Sequence, residues 1–475
     1  WGTKGSSPDH VKDFFQTGTT WINSINVSGG TEKAQTYFSY SNTSNKGIVP
    51  TAKYGQHTLN FRENASFLND KLTLDANVQM TTQNAHNRSS SGLYFNPLTG
   101  LYLFPRGLDF GYYKNNYEYF SPTRNMFMQD WWIQNYDKKM PGQDTQQNPY
   151  WILNRNITEN RKDNLIASLA LRYSLTSWLS IQARGNVNKS WDKYELKANA
   201  GTQTTIADAN GRYTYDYMAS TQYYGDLLLV GNTKLSEKIG FNFTAGTSIT
   251  DLKQDRTYLD SKDADLAFAN VFHIGNIQLS PAARIYNLGA RRQLQSVFGT
   301  VGVNLSEKVF LDLTARNDWS STLANTPNVN KGYLYYSAGL NTILSDVFTM
   351  PKFIDYGKVR LSYAKVGNDV APFSTLPVNA ITSGVLTSNT SGPYLGQPLK
   401  PEMTSSVEIG TEWRFLDNRL NFDFTWYNSH TKDQYFDFPI SAGYLYPNAF
   451  VNAGNVQNTG IEATIGYQVI KQKDL

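Results

Sequence analysis

Residues able to do chemistry are sparse in this sequence and seldom close together. The five histidines, His10, His57, His86, His273 and His430, stand far apart, with none at the i, i+4 spacing of a helical metal site. Isolated polar or loop positions are expected for them. Asp260, Asp263 and Asp265 share one loop and offer the oxygens Ca²⁺ prefers, but the turn glycine and spaced glutamate of a calcium loop are missing. A solvated loop is the better expectation. No Gly-x-Ser-x-Gly elbow or phosphate-binding glycine loop stands in a strand–helix context. No catalytic constellation, metal site or cofactor is expected, and no enzyme.

Recognition is the chemistry that remains. Trp131 and Trp132 lie in a ring-rich segment with Tyr94, Tyr112 and Tyr113. Aromatic faces stack on sugars, and tyrosine hydroxyls supply hydrogen bonds. The same rings anchor protein interfaces or pack a loop on itself, and this is the stronger expectation for them. A second set is charged: Asp75, Arg184, Glu408, Glu412 and Arg414 recur inside segments that are otherwise half apolar.

Those segments are the elements that must position both sets. Five times a short phrase returns, a polar turn followed by strict alternation: Leu68–Leu72, Leu175–Leu179, Leu235–Ile239, Leu305–Val309 and Leu416–Leu420. The first leads into Leu74, Ala76, Val78 and Met80, the last into Phe422, Phe424 and Trp426. Each reads as a strand end, a tight turn and a second strand with period 2. Between the apolar residues stand polar ones such as Thr73, Asp75 and Asn77, or Gln182, Arg184 and Asn186. One face is therefore apolar and the other polar. A β-sandwich with one face in water shares this pattern with a transmembrane barrel that has lipid outside and a wet lumen.

Strands of about ten or more residues, the length that crosses a bilayer at a tilt, favour the barrel. So does the alternation of tight turns with long connections. Aromatic residues make up 14% of the chain, and Phe67, Trp178, Trp413, Phe415 and Tyr467 stand at strand ends where an interfacial girdle forms. In a barrel Asp75, Arg184, Glu408, Glu412 and Arg414 face the lumen, where they hydrate a channel and grip a plug by charge pairing. On the lipid face an Arg would cost about 2–4 kcal/mol.

Composition narrows the rest. The absence of Cys excludes disulfides and thiolate metal sites. A net charge of +4 without a dense basic run excludes a nucleic-acid binder. No apolar stretch approaches a membrane helix, and mean hydropathy is −0.48. A membrane protein without such helices must close its backbone bonds in a barrel. Since the chain opens at Trp1 and stops at Leu475 soon after a strand, it is expected to be part of a longer exported protein.

About fifteen strands are expected: 20–28, 33–42, 55–67, 71–83, 163–175, 178–190, 221–235, 239–252, 293–305, 308–317, 331–343, 357–366, 403–415, 419–432 and 458–470. Residues 1–19 read as an irregular lead-in, 20–475 as a partial barrel, and 84–159 as a long aromatic extracellular loop without sustained period.

The chain resembles the SusC/RagA family of TonB-dependent outer-membrane transporters of Bacteroidetes-type bacteria. The likeness rests on Ile25-Asn26-Val27-Ser28-Gly29-Gly30 with Tyr37-Phe38-Ser39-Tyr40, on Arg316-Asn317-Asp318-Trp319-Ser320-Ser321, and on Val366-Gly367-Asn368. Its strongest run is Leu399-Lys400-Pro401-Glu402-Met403-Thr404 through Asn418-Arg419-Leu420 and Tyr427-Asn428-Ser429 to Asn452-Ala453-Gly454-Asn455-Val456 and Asn458-Thr459-Gly460-Ile461-Glu462. The resemblance implies an all-β transmembrane antiparallel β-barrel, here partial, with about 15 of about 22 strands, with long extracellular loops and a plug upstream. It implies residence in the bacterial outer membrane and active import of glycan or peptide oligomers, nutrient uptake energised by TonB through a region N-terminal to this one. The implied partners are a SusD-like surface lipoprotein as lid, an oligosaccharide or peptide substrate and outer-membrane lipid, with pairs of transporter and lipoprotein dimerised. A SusC-like barrel serving as structural scaffold of an outer-membrane assembly is the alternative, and an extracellular β-sandwich adhesin a third.

Overall fold

A computed structural model of the chain describes residues 9–470, apart from 89, 91, 142–145, 281, 377–379, 383–384, 388–390, 395 and 442–447. Fifteen long strands form one antiparallel meander: β1 (Thr19–Gly30), β2 (Ala34–Lys46), β3 (Lys53–Phe67), β4 (Leu72–His86), β5 (Asn156–Ser174), β6 (Leu179–Ala198), β7 (Arg212–Ser236), β8 (Ile239–Asp260), β9 (Arg284–Leu305), β10 (Val309–Ser320), β11 (Tyr333–Ile343), β12 (Ile354–Asn368), β13 (Glu402–Phe415), β14 (Leu420–Pro439) and β15 (Asn448–Tyr467). Each pairs with its neighbour in sequence, and a three-residue strand, Ser391–Pro393, adds in parallel to β15. A single sheet of this extent replaces the two packed layers a sandwich requires.

Connections alternate in length because the chain runs up and down. Tight turns sit at one end, among them Leu68–Lys71 and Leu416–Arg419, and long excursions such as 87–155, 261–283 and 369–401 at the other. Leu68, Asn69 and Asp70 all have positive φ, as do Leu416, Asp417 and Asn418. Asn and Asp tolerate that left-handed conformation and carry the leucines with them. Phe67, Phe415 and Tyr467 end their strands beside these turns, with Trp413 two residues before Phe415 and Trp178 in the turn ahead of β6.

Register decides which face is which. Leu311, Leu340, Leu361, Ile409, Trp426 and Ile461 are successive partners from β10 to β15. Val78, Ala167, Val187 and Tyr223 do the same from β4 to β7. This apolar face is open, with Ile461 69% exposed. Arg184, Asp226, Ser248, Ser296 and Asp318 are successive partners on the opposite face, and the last four are buried. Exposed hydrophobics with buried polar residues invert the order of a water-soluble sheet and fit lipid outside, polar interior within.

The count of about fifteen strands agrees with the sequence reading, but several strands are longer than periodicity suggested. β6 continues to Ala198 rather than 190, β7 begins at Arg212 rather than 221, and β9 begins at Arg284 rather than 293. In these extensions polar and aromatic residues dominate both faces, as in Tyr213-Thr214-Tyr215-Asp216-Tyr217, so the regular apolar period is lost while the backbone ladder persists. The lead-in is also less irregular than expected, holding helix α1 (His10–Phe14) capped by Asp9.

Candidate binding cleft and its loop roof

The long segment after β4 is a folded cap rather than an irregular loop. It holds α2 (Pro97–Leu103), α3 (Phe110–Asn115) and α4 (Pro149–Arg155), with two small hairpins between α3 and α4. Asn96, Asp109 and Asn148 cap the helices, each side chain accepting from a backbone N–H in the first turn. Asn-Pro at 96–97 and 148–149 is the sequence signal for two of these starts, because Pro suits the first helical position. Helices this short carry too little period to be seen otherwise.

The cap's rings pack on each other. Trp131, 1% exposed, lies 5.0 Å from the Phe104 ring and edge-on to Tyr113 at 5.3 Å, between centroids. Phe14 of α1 joins the same cluster, with Leu101, Phe110, Tyr150 and Leu153. Gly100 lets α2 close on the segment before α4: a Cβ there would stand 2.0 Å from the Gln147 carbonyl oxygen. Trp131 is thus packed within the cap, with both ring faces covered. Trp132 and Tyr113 pack against the cluster, Tyr94 packs against a second one around Leu196 and Ile206, and Tyr112 is the open member at 49% exposure. Burial pushes the Tyr150 phenol up to about 12, with Asp13 adding to the effect, and its hydroxyl has no hydrogen-bond partner among the described residues.

Beside the cap, at the long-loop end of the polar face, opens a cleft of about 920 Å³, bordered by Val49 and Ala52, which also pack in the cap's cluster. Tyr54, Gln83, Asn160 and Tyr194 contribute polar groups, Ile48 and Val49 an apolar shoulder, and Arg88 its mouth. Two ion pairs cross its wall: Arg256 reaches Asp216 with two hydrogen bonds of 2.7 and 2.8 Å, and Lys162 stands 3.4 Å from Asp192. None of these residues was singled out from the sequence. Those on strands come from six of them, β3 to β8, so only the register brings them together.

The charged residues singled out from the sequence all lie on the face opposite the apolar rows, most of them paired within the wall. Asp75 meets Arg62 at 2.6 Å, Arg184 meets Asp226 at 2.5 Å, and Arg414 meets Glu412 at 2.9 Å. Glu408 is opposite Ser362 and Tyr427. The histidines are scattered, as expected: the His10 ring nitrogen is 3.0 Å from the Leu101 carbonyl, and His86 pairs with Glu159. The expected solvated aspartate loop is a correction. Asp260 is fully buried in a two-pronged pair with Arg212, Asp263 meets Lys262, and Asp265 accepts from the backbone of Asn210 and Leu266. Among the described residues no acidic or histidine group is placed to hold a metal.

An inside-out sheet with one tight-turn end and one capped end has the character of a transmembrane barrel wall. The family described as TonB dependent receptor-like, beta-barrel, matches residues 99–471, and the chain belongs to it. Curated relatives include TonB-dependent receptor P3 of Formosa agariphila, 22% identical over 69% of this chain and 33% of its own length. TonB-dependent receptor P39 of the same organism is 23% identical over 95% of this chain and 41% of its own. The chain thus spans less than half the length of these relatives. Among solved structures, the RagAB peptide importer in its closed-closed state superposes with a TM-score of 0.75 at 16% identity, over 99% of this chain and 50% of that one. The siderophore receptor PiuA from Acinetobacter baumannii gives 0.54 at 15% identity, over 96% and 61%. RagA is SusC-like, so the resemblance read from the sequence and the structural neighbour agree.

Proposed function

We propose that this chain is most of the barrel of an active importer in the bacterial outer membrane, taking up glycan or peptide oligomers with energy relayed through TonB. The observation that carries the reading is the polar cleft beside a folded cap, on the face opposite the lipid-type surface. Oligomers too large for passive diffusion need capture at such a site before entry. The lumen-facing roles of Asp75, Arg184, Glu408, Glu412 and Arg414 belong to this proposal, as does contact of Tyr112 with ligand or with a SusD-like lipoprotein lid. The RagAB peptide importer supports both the import class and a paired partner.

The test is mild detergent purification of the full-length protein from its native membrane, with mass spectrometry of what accompanies it. A stoichiometric surface lipoprotein with bound oligosaccharide or peptide is the expected result. Recovery of unrelated envelope proteins without any oligomer would sink the importer and favour the structural scaffold.

A further inference from the structure

We infer that the outward face of β2 and β3 binds a phosphorylated glycolipid of the outer leaflet, its phosphate held between Lys46 and Lys53. The inference rests on the barrel wall and not on import. Lys46 and Lys53 are directly opposite in the ladder, and the Phe38–Phe61 pair of the same ladder fixes both on the face of the apolar rows. Both are exposed, with no carboxylate partner among the described residues. Like charges directly opposite each other destabilise a strand pair. A phosphate between them turns that repulsion into two charge-assisted hydrogen bonds.

The same wall supplies the contrast. Arg161 is opposite Lys193, and Lys253 opposite Arg291, again on the outward face. Each of those four cations is held by its own acid: Asp163 at 2.8 Å, Glu195 at 2.9 Å, Asp255 at 3.0 Å and Asp251 at 2.6 Å. Glu159, two strands along the row from Lys53, is taken by His86 at 2.6 Å. The Lys46–Lys53 pair is thus left for an outside anion.

Height and surroundings name the anion's carrier. The lysines end their strands at the long-loop side, whereas Ala34 and Phe67 end them at the tight turns. At about 3.3 Å per residue and a tilt near 45°, that is roughly 30 Å of height, against an apolar band of about 25 Å. The pair therefore stands at headgroup level, where anionic lipids meet basic side chains. Towards the turns the wall is first polar: the Tyr40 hydroxyl and the Asn42 amide meet the His57 Nδ1 at 2.8 and 3.2 Å. Gly55 leaves an open shelf there, since a Cβ would meet nothing within 4 Å, and Trp21, 69% exposed, rims it. Only then come the open Phe38, Leu59 and Phe61. From Lys53 to Leu59 the wall drops roughly 11–14 Å. A sugar headgroup spans that polar stretch between phosphate and acyl chains, whereas a glycerol headgroup falls short.

The experiment is native mass spectrometry of the full-length receptor in neutral detergent, titrated with diphosphoryl lipid A, with lipid A stripped of phosphate, and with phosphatidylglycerol. Diphosphoryl lipid A should bind at least about five-fold tighter than either of the others. K46A/K53A should weaken it by about five-fold per lysine removed. K46R/K53R should keep the parent affinity, and so should K253A/R291A, whose cations already have acids. Equal binding of the stripped lipid or of phosphatidylglycerol would overturn the assignment. So would parent affinity in K46A/K53A, or an equal loss in K253A/R291A. The lipid series on the parent protein decides even where a variant fails to fold, and none of these outcomes touches import, which is read from the copurifying oligomer.

Discussion

Arg184 and Asp226 face each other across β6 and β7, the guanidinium 2.5 Å from a carboxylate that has no exposed surface. Tyr224 adds its hydroxyl to the same oxygen. Removing one member of such a pair strands the other, which costs about 3–5 kcal/mol, whereas replacing both by apolar groups is close to neutral. R184M alone should therefore lower the temperature at which the barrel loses its compact electrophoretic form, and R184M/D226L should recover most of the loss.

The cap should be breakable without opening the barrel. W131A removes the centre of the Phe104–Tyr113–Phe110 cluster, and Trp-to-Ala changes in packed cores cost about 3–5 kcal/mol. Limited proteolysis should then cut between residues 92 and 141 while the barrel band persists. Y112A, at an exposed ring, should leave cleavage within about 0.5 kcal/mol of the parent in apparent stability.

Gly100 makes a second, sharper probe of the same unit. G100A places a methyl carbon on the Gln147 carbonyl, a backbone atom that cannot swing away. It should loosen the cap about as much as W131A does, by the same protease assay, although it adds one carbon and removes no ring.

Tyr150 sets a pH limit on the cap. Burial raises its phenol to about 12 from an ordinary 10.0, so the neutral ring is the form the folded cap prefers. Its contribution is complete below 10 and is lost as pH climbs towards 12. Several tyrosines titrate late, and Y150F should remove one ring's share of the late tyrosinate absorbance at 295 nm. Because the hydroxyl lacks a partner among the described residues, Y150F should also stabilise the cap by about 1 kcal/mol at neutral pH.

The alternation in segments such as Leu72–Met80 made the barrel, its strand number and its two faces legible, because lipid and lumen impose opposite demands on adjacent residues. Asp75 and Arg184 were found that way. Arg62 and Asp226, their partners, were not, since cross-strand register lies outside any single segment. The cap escaped for a different reason: its core is assembled from Phe14, Val49, Trp131 and Leu153, which no local period links. The cleft escaped for both.

Strand length has a geometric consequence at the mouth. β7 has 25 residues and β11 has 11. At about 3.3 Å per residue and a tilt near 45°, one side of the wall climbs roughly 58 Å and the other roughly 25 Å, the latter no taller than the apolar band itself. The rim is therefore uneven, tall over β6 to β9 and again at β14 and β15, and low over β10 to β13 between them.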